Sequence, residues 1–230
     1  HSTVYSEQEG GFHDDIIIEL AQKFLPTLAS DKNALIVDIG CGPGLFMQAA
    51  RDIGYTNLLG VTLSNTDHSV CTNQGFQTLN TSMSDLDITD NTVDVVWCRH
   101  ALEHSAFPLF TLYEFYRVLS NQGRVFIEVP APNNERLAMH EFNPNHYSIL
   151  GDKMWAGLFE KAGFDLVNDY VYNNKVEFEN HQADEKSYIF ILKKSEEDIA
   201  TKFLKRYEFG NENPKSWGVN HRSRNSPMAS

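Results

Sequence analysis

The sequence predicts an α/β fold in which a mainly parallel seven-stranded sheet carries helices on both faces and ends in an antiparallel strand. Three observations carry this expectation. Short apolar runs alternate with amphipathic stretches between residues 13 and 163, the order of strands joined by crossover helices. The first apolar run leads straight into "IVDIGCGPG" at 36–44, where Gly40, Gly42 and Gly44 allow a sharp turn just behind Asp38. Towards the C-terminus, "FDLVNDYVYN" and "KSYIFILKK" are close enough in sequence to pair as antiparallel strands.

Each element has a local reason. "HDDIIIELAQKFLPTL" spaces its apolar residues for an amphipathic helix and puts acids in the first turn, where the helix dipole favours them. "ALIVDI" is short and apolar throughout, as a strand buried on both faces should be, and "LFMQAARDIG" is a helix stopped by Gly54. The alternation continues with "NLLGVTL" as strand, "NTDHSVCTNQG" as helix, "FQTLN" and "TVDVVWC" as strands, "PLFTLYEFYRVLSNQG" as helix and "GRVFIEV" as strand. "SILGDKMWAGLFEKAG" is a helix stopped by Gly163. "SEEDIATKFLKRYEF" reads as a last helix with a capping-box-like start at Ser195 and Asp198, and the remainder is polar and without period. The expected division is a domain at 1–194 and a C-terminal helix and tail at 195–230.

Composition narrows the classes. The 230 residues are 41% hydrophobic, enough for a sizeable core. A net charge of −12 and no basic stripe argue against a phosphate-backbone partner. Cys41, Cys71 and Cys98 are odd in number and lack CxxC spacing, so neither a disulfide framework nor a zinc ribbon is expected. No run is long enough to span a bilayer and no secretory pattern is visible, which together predict a reducing, cytoplasmic setting.

The glycine turn is the feature that speaks to function. In an open parallel sheet, ligands bind beyond the C-terminal strand ends where strand order reverses. Bare glycines let a ligand lie against the backbone there. The dinucleotide fingerprint is GxGxxG, but the glycines here fall as GxGxG with Leu45 in the third place, which counts against NAD. An acid at the strand end suits a ligand bearing an ammonium group.

"VDIGCGPG" resembles motif I of the class I S-adenosylmethionine-dependent methyltransferases. The resemblance extends over most of residues 34–193: "DNTVDVVWCRHALEH" is similar to the family's fourth-strand segment, and "FYRVLSNQGRVFIEVPAP" to the helix and fifth strand after it. It implies a Rossmann-like fold and S-adenosyl-L-methionine as cofactor. Asp38 would face the cofactor's amino group, with Gly40, Cys41 and Gly42 lining it by backbone. The second strand of the family usually ends in an acid that holds the ribose, whereas Thr62 stands here; the "TLS" stretch is similar to the branch containing the cyclopropane fatty acid synthases, where the threonine and a later polar residue, here Asp67, share the ribose. Alignment on Leu86 puts Ser82 and Met83 at the adenine, with Asp85 the rival if the register slips. Arg99 and His100 would pass near the methionine end, Arg99 by backbone with its side chain an ordinary surface charge.

Methyl transfer to oxygen or nitrogen needs alignment, exclusion of water and a base for the acceptor's proton. His104, His146 and His100 are the candidate bases, and Glu103 a residue that orients one of them. His104 is also readable as a helix-start residue satisfied by backbone. The long polar connection "APNNERLAMHEFNPNHYSI" offers His140, Glu141, His146 and Tyr147 as a substrate lid. Its "HEFNPNH" lacks the one-turn histidine spacing of HExxH, so no metal is expected. The resulting expectation is methyl transfer to a small-molecule or glycan acceptor at oxygen, without nucleic acid or stable membrane insertion, with a homodimer through the C-terminal extension as the protein partner. Lipid or carbon methylation of the cyclopropane-synthase kind and a non-catalytic cofactor-binding module are the alternatives.

Overall fold

The computed structural model describes residues 12–132, 143–178, 181–197 and 201. Of the expected helix that starts at Ser195, only Ser195, Glu196, Glu197 and Thr201 are described; its other residues, including Asp198, the tail, and the lid candidates His140 and Glu141 lie outside the described residues. The backbone divides into units of residues 1–195 and 196–230, and the sheet belongs to the first. The elements of that unit in order are α1 (Phe12–Leu28), β1 (Ile36–Ile39), α2 (Leu45–Asp52), β2 (Leu58–Thr62), α3 (Asn65–Asn73), β3 (Gln77–Asn80), β4 (Val93–Arg99), a 3-10 turn (Leu102–His104), α4 (Pro108–Val118), β5 (Leu119–Pro130), α5 (Asp152–Lys161), β6 (Phe164–Phe178) and β7 (His181–Lys194).

The strands form one seven-stranded sheet in the order β3-β2-β1-β4-β5-β7-β6. Strands β1 to β5 pair parallel, and β7 lies antiparallel to both β5 and β6. The mainly parallel sheet with an antiparallel final strand is therefore present as expected. Strand order reverses between β1 and its neighbours β2 and β4, so the crevice that α/β sheets use for ligands opens at the C-terminal end of β1.

Side chains alternate across the sheet and fill a core on each face. On one face Val37, Ile39, Val96 and Cys98 pack with Leu112 and Phe115 of α4 and Trp155 and Phe159 of α5. On the other, Ile36, Val95 and Trp97 pack with Leu20 and Phe24 of α1 and Phe46 and Met47 of α2. There Trp97 stacks between Phe46 and Phe126, at centroid distances of 4.3 and 3.7 Å. The strands that carry the site are thus clamped from both sides.

Several boundaries differ from expectation. Helix α4 ends at Val118 and not at Gly123, because the N–H groups of Asn91 and Thr92 donate to the carbonyls of Arg117 and Val118 and draw the chain into β5. Gly123 serves close packing: a Cβ there would sit 2.7 Å from Leu119 Cδ1 and 3.0 Å from the Val93 carbonyl oxygen. Strands β6 and β7 run longer than expected, since their backbones stay paired out to Phe178 and His181. Among the described residues no helix is long and apolar enough to cross a membrane.

Candidate active site

The chain after β1 turns through three glycines with positive φ: Gly40 at 73°, Gly42 at 49° and Gly44 at 91°. The N–H groups of Gly40 and Cys41 donate to the Val61 carbonyl, which pins the turn to the end of β2. Gly40 is exposed to the crevice, yet a Cβ on it would lie 2.8 Å from Ala101 Cβ, so both its backbone angle and its neighbour exclude a side chain. Gly44 is the N-cap of α2 and among the described residues no side chain caps that helix, so its first-turn N–H groups point into the turn.

Asp38 lies at the end of this strand, only 4% exposed, and its Oδ2 has no hydrogen-bond partner among the described residues. Burial raises its pKa well above the ordinary carboxylate range, and Arg99 opposes this incompletely. A buried acid left in this state is a receptor for a cation or donor. Cys41 packs beside it. A hydrogen bond to Cys71 together with burial pushes the Cys41 thiol up, so it is a wall and not a nucleophile at neutral pH.

At the end of β2, buried Thr62 accepts the Ser64 N–H through Oγ1 at 3.0 Å, and Ser64 Oγ caps α3 by accepting the Asp67 N–H. Asp67 is thereby fixed in the first turn of α3, half-buried, next along from Thr62. After β3, Ser82 and Met83 are half-buried while Asp85 is exposed and donates its N–H to the Ser82 carbonyl. Met83 packs against the core around Val37, Ile39 and Val61. Of the three adenine candidates, Ser82 and Met83 are thus the more buried and Asp85 faces solvent.

The end of β4 departs most from the sequence reading. Arg99 is not an ordinary surface charge: its Nε lies 2.7 Å from Oε2 of Glu128, which is fully buried in β5. His100, with a positive φ of 46°, sits between two acids, its Nδ1 3.3 Å from Glu103 Oε1 and its Nε2 3.4 Å from Glu128 Oε1. Burial works against its charge, but the charge of Glu128 and the hydrogen bonds that the ring donates to both acids outweigh this and raise its pKa to about 10. Burial likewise disfavours the Glu128 carboxylate, yet Arg99 and His100 hold it down to about 2. His100 is thus an imidazolium at neutral pH, the form that cannot accept a proton.

Glu103 and His104 follow in the 3-10 turn. Glu103 is 1% exposed, and the segment carrying His146 is stitched to it: the N–H groups of Tyr147 and Ser148 donate to the Glu103 carbonyl at 2.8 and 3.2 Å. His104 Nδ1 donates to the Asn145 carbonyl at 3.0 Å, and the His104 and His146 rings lie 4.6 Å apart at 63°. The backbone-satisfied role considered for His104 is therefore filled at Nδ1, which leaves Nε2 as the basic nitrogen of that tautomer. Tyr147, another lid candidate, is exposed.

Sequence reasoning missed Glu128, Gly60 and Cys71. Glu128 had a signal, a lone charge within the apolar run "RVFIEVP". Gly60, inside β2, leaves room for the turn: a Cβ there would meet Cys41 Sγ, Met47 Cε and Thr78 Cγ2, all within 2.9 Å. Cys71 supports the turn from below, its thiol donating to the Gly42 carbonyl at 3.3 Å. Neither had a local signal.

The profile of the methyltransferase-domain family matches residues 12–169. An uncharacterized protein of Methanocaldococcus jannaschii is 30% identical over 173 residues, which cover 73% of this chain and 69% of that protein. The probable methyltransferase ltbC of Aspergillus luteorubrus is 29% identical over 149 residues, 57% of this chain and 49% of that protein, so the chain spans about half its length. Among solved structures, a SAM-dependent methyltransferase from Archaeoglobus fulgidus is similar in fold, with a TM-score of 0.64 at 16% identity over 79% of this chain and 94% of that one.

Proposed function

The chain belongs to the methyltransferase-domain family, in its class I, S-adenosyl-L-methionine-dependent form, and from that premise we propose that it transfers a methyl group to an oxygen of a small-molecule or sugar-containing acceptor. The observation that carries the reading is a buried carboxyl group, Asp38, whose Oδ2 has no hydrogen-bond partner among the described residues, at the end of β1 beside a turn in which Gly40 has no room for a side chain. Asp38 would hold the cofactor's amino group, with Gly40, Cys41 and Gly42 beside its methionyl part. Thr62 and Asp67 would hold the ribose, and Ser82 and Met83 the adenine. Arg99 and His100 close the methionine end, Arg99 as a partner of Glu128 and not as a free charge.

Transfer is an in-line displacement. A lone pair of the acceptor oxygen forms the new O–C bond, the C–S bond breaks with its electrons returning to sulfur, and neutral S-adenosylhomocysteine results. The protein's task is to align the two and take the acceptor's proton. His104 and His146 supply imidazoles for that proton. His100, held as a cation between Glu103 and Glu128, orients Glu103 instead. The polar, imidazole-lined edge supports a hydroxyl-bearing acceptor, and the acidic chain disfavours nucleic acid.

The test supplies methyl-labelled S-adenosyl-L-methionine to the protein in a cell extract. Label in small, base-stable products is the expected result. Label confined to RNA or protein overturns the acceptor class, and label in lipid favours the cyclopropane-synthase-like alternative.

A further inference from the structure

After β4, three ligand-type side chains converge, two of them the histidines read above as bases for the acceptor's proton. A carboxylate oxygen of Glu103 and a ring nitrogen from each of His104 and His146 all lie within 4.8 Å of one another. Two separate parts of the chain supply them, the 3-10 turn after β4 and the segment before α5, and main-chain hydrogen bonds hold the two together. The Nδ1–H of His104 is spent on the Asn145 carbonyl, which sets the tautomer a metal-ligating histidine uses. His100 contacts one oxygen of Glu103 and orients the carboxylate. The second oxygen, Oε2, is buried and has no hydrogen-bond partner among the described residues.

That last observation decides between an ordinary buried ion pair and a site. His100 contacts Oε1 only, and a buried carboxylate oxygen without a donor is costly unless a cation completes it. Two imidazoles and one carboxylate are the donor set of open transition-metal sites, zinc among them, and not the all-oxygen set that magnesium or calcium requires. Donor atoms around a tetrahedral zinc are roughly 3.3 Å apart, so side-chain rotation of about an ångström closes the arrangement.

We propose that Glu103, His104 and His146 bind one divalent transition-metal ion of the zinc type, leaving an open coordination position toward the crevice. The site stands on its own geometry. What the ion does rests on the methyl-transfer reading: an acceptor hydroxyl at the open position loses its proton to solvent more readily, in place of deprotonation by an imidazole.

The test uses the full chain without any polyhistidine tag, stripped with a chelator and titrated with Co2+ and with Zn2+. One ion per chain at micromolar affinity or tighter is expected, with visible Co2+ bands that Zn2+ displaces. His146→Gln and Glu103→Gln should each weaken it at least tenfold. Absence of a stoichiometric site in the wild-type chain overturns the proposal, and so does a tight site that survives in a His104→Ala/His146→Gln double variant. Calorimetry with S-adenosyl-L-methionine on the stripped chain keeps the two readings apart, since cofactor uptake without metal uptake sinks only the metal site.

Discussion

Asp38 holds an unusual position for a carboxylate: buried at the end of β1, with one oxygen lacking a donor among the described residues. Its raised pKa has a consequence whose sign is fixed. Between its ordinary range near about 4 and its higher folded value the native chain holds the extra proton, so the stability of the empty protein falls as pH rises through that interval. A bound ammonium group favours the carboxylate instead. Cofactor affinity should therefore rise with pH over the same interval, with net proton release, as calorimetry in buffers of different ionisation enthalpy will read. Asp38→Asn should weaken cofactor binding by about 10- to 100-fold while the empty chain melts no lower than wild type. A pH-independent affinity would argue that the charge of Asp38 plays no part.

At the scale of elements, the glycine turn is held by what lies under it. Strand β2 presents Gly60 to Cys41, Met47 and Thr78, so the turn, α2 and β3 meet over a residue without a side chain. Gly60→Ala is expected to cost about 1–3 kcal/mol in urea unfolding and to weaken cofactor uptake as well, because the displaced Cys41 belongs to the turn. Gly157, inside α5, has no described residue within 4 Å of where a new Cβ would sit. Gly157→Ala should raise stability by about 0.5–1 kcal/mol and leave cofactor binding unchanged. The opposite signs test whether contact, and not glycine as such, sets the cost.

Over the whole molecule, the sheet brings the ends of β1, β2, β4 and β5 to one edge, and two cores fix their heights. Each residue assigned to the cofactor or to the proton lies in the unit of residues 1–195. A chain ended after Ser195 should bind S-adenosyl-L-methionine within about threefold of the full chain, within the usual scatter of one interaction, and keep a single cooperative melting transition. A loss of binding on truncation would bring residues 196–230 into the site.

Much of the fold was written in local pattern. Apolar runs, helical spacing and glycine stops identify seven strands because each reflects a choice that neighbouring residues make together. The misjudged end of α4 was different in kind, since "LSNQG" is compatible with a helix and the deciding N–H donors belong to Asn91 and Thr92. For the site, Asp38 and the glycines were legible because a turn and its acid are contiguous. Arg99 was misread because its partner Glu128 comes from β5, the neighbouring strand that pairs with β4.

The sequence alone determined the alternation that makes the sheet and the bare turn behind an acid, since both depend on residues a few positions apart. Only the tertiary structure decided that His100 is held charged between two buried carboxylates and that His146 meets Glu103 and His104. Burial and the electric field at a group are sums over atoms brought near by folding, and no linear spacing encodes them.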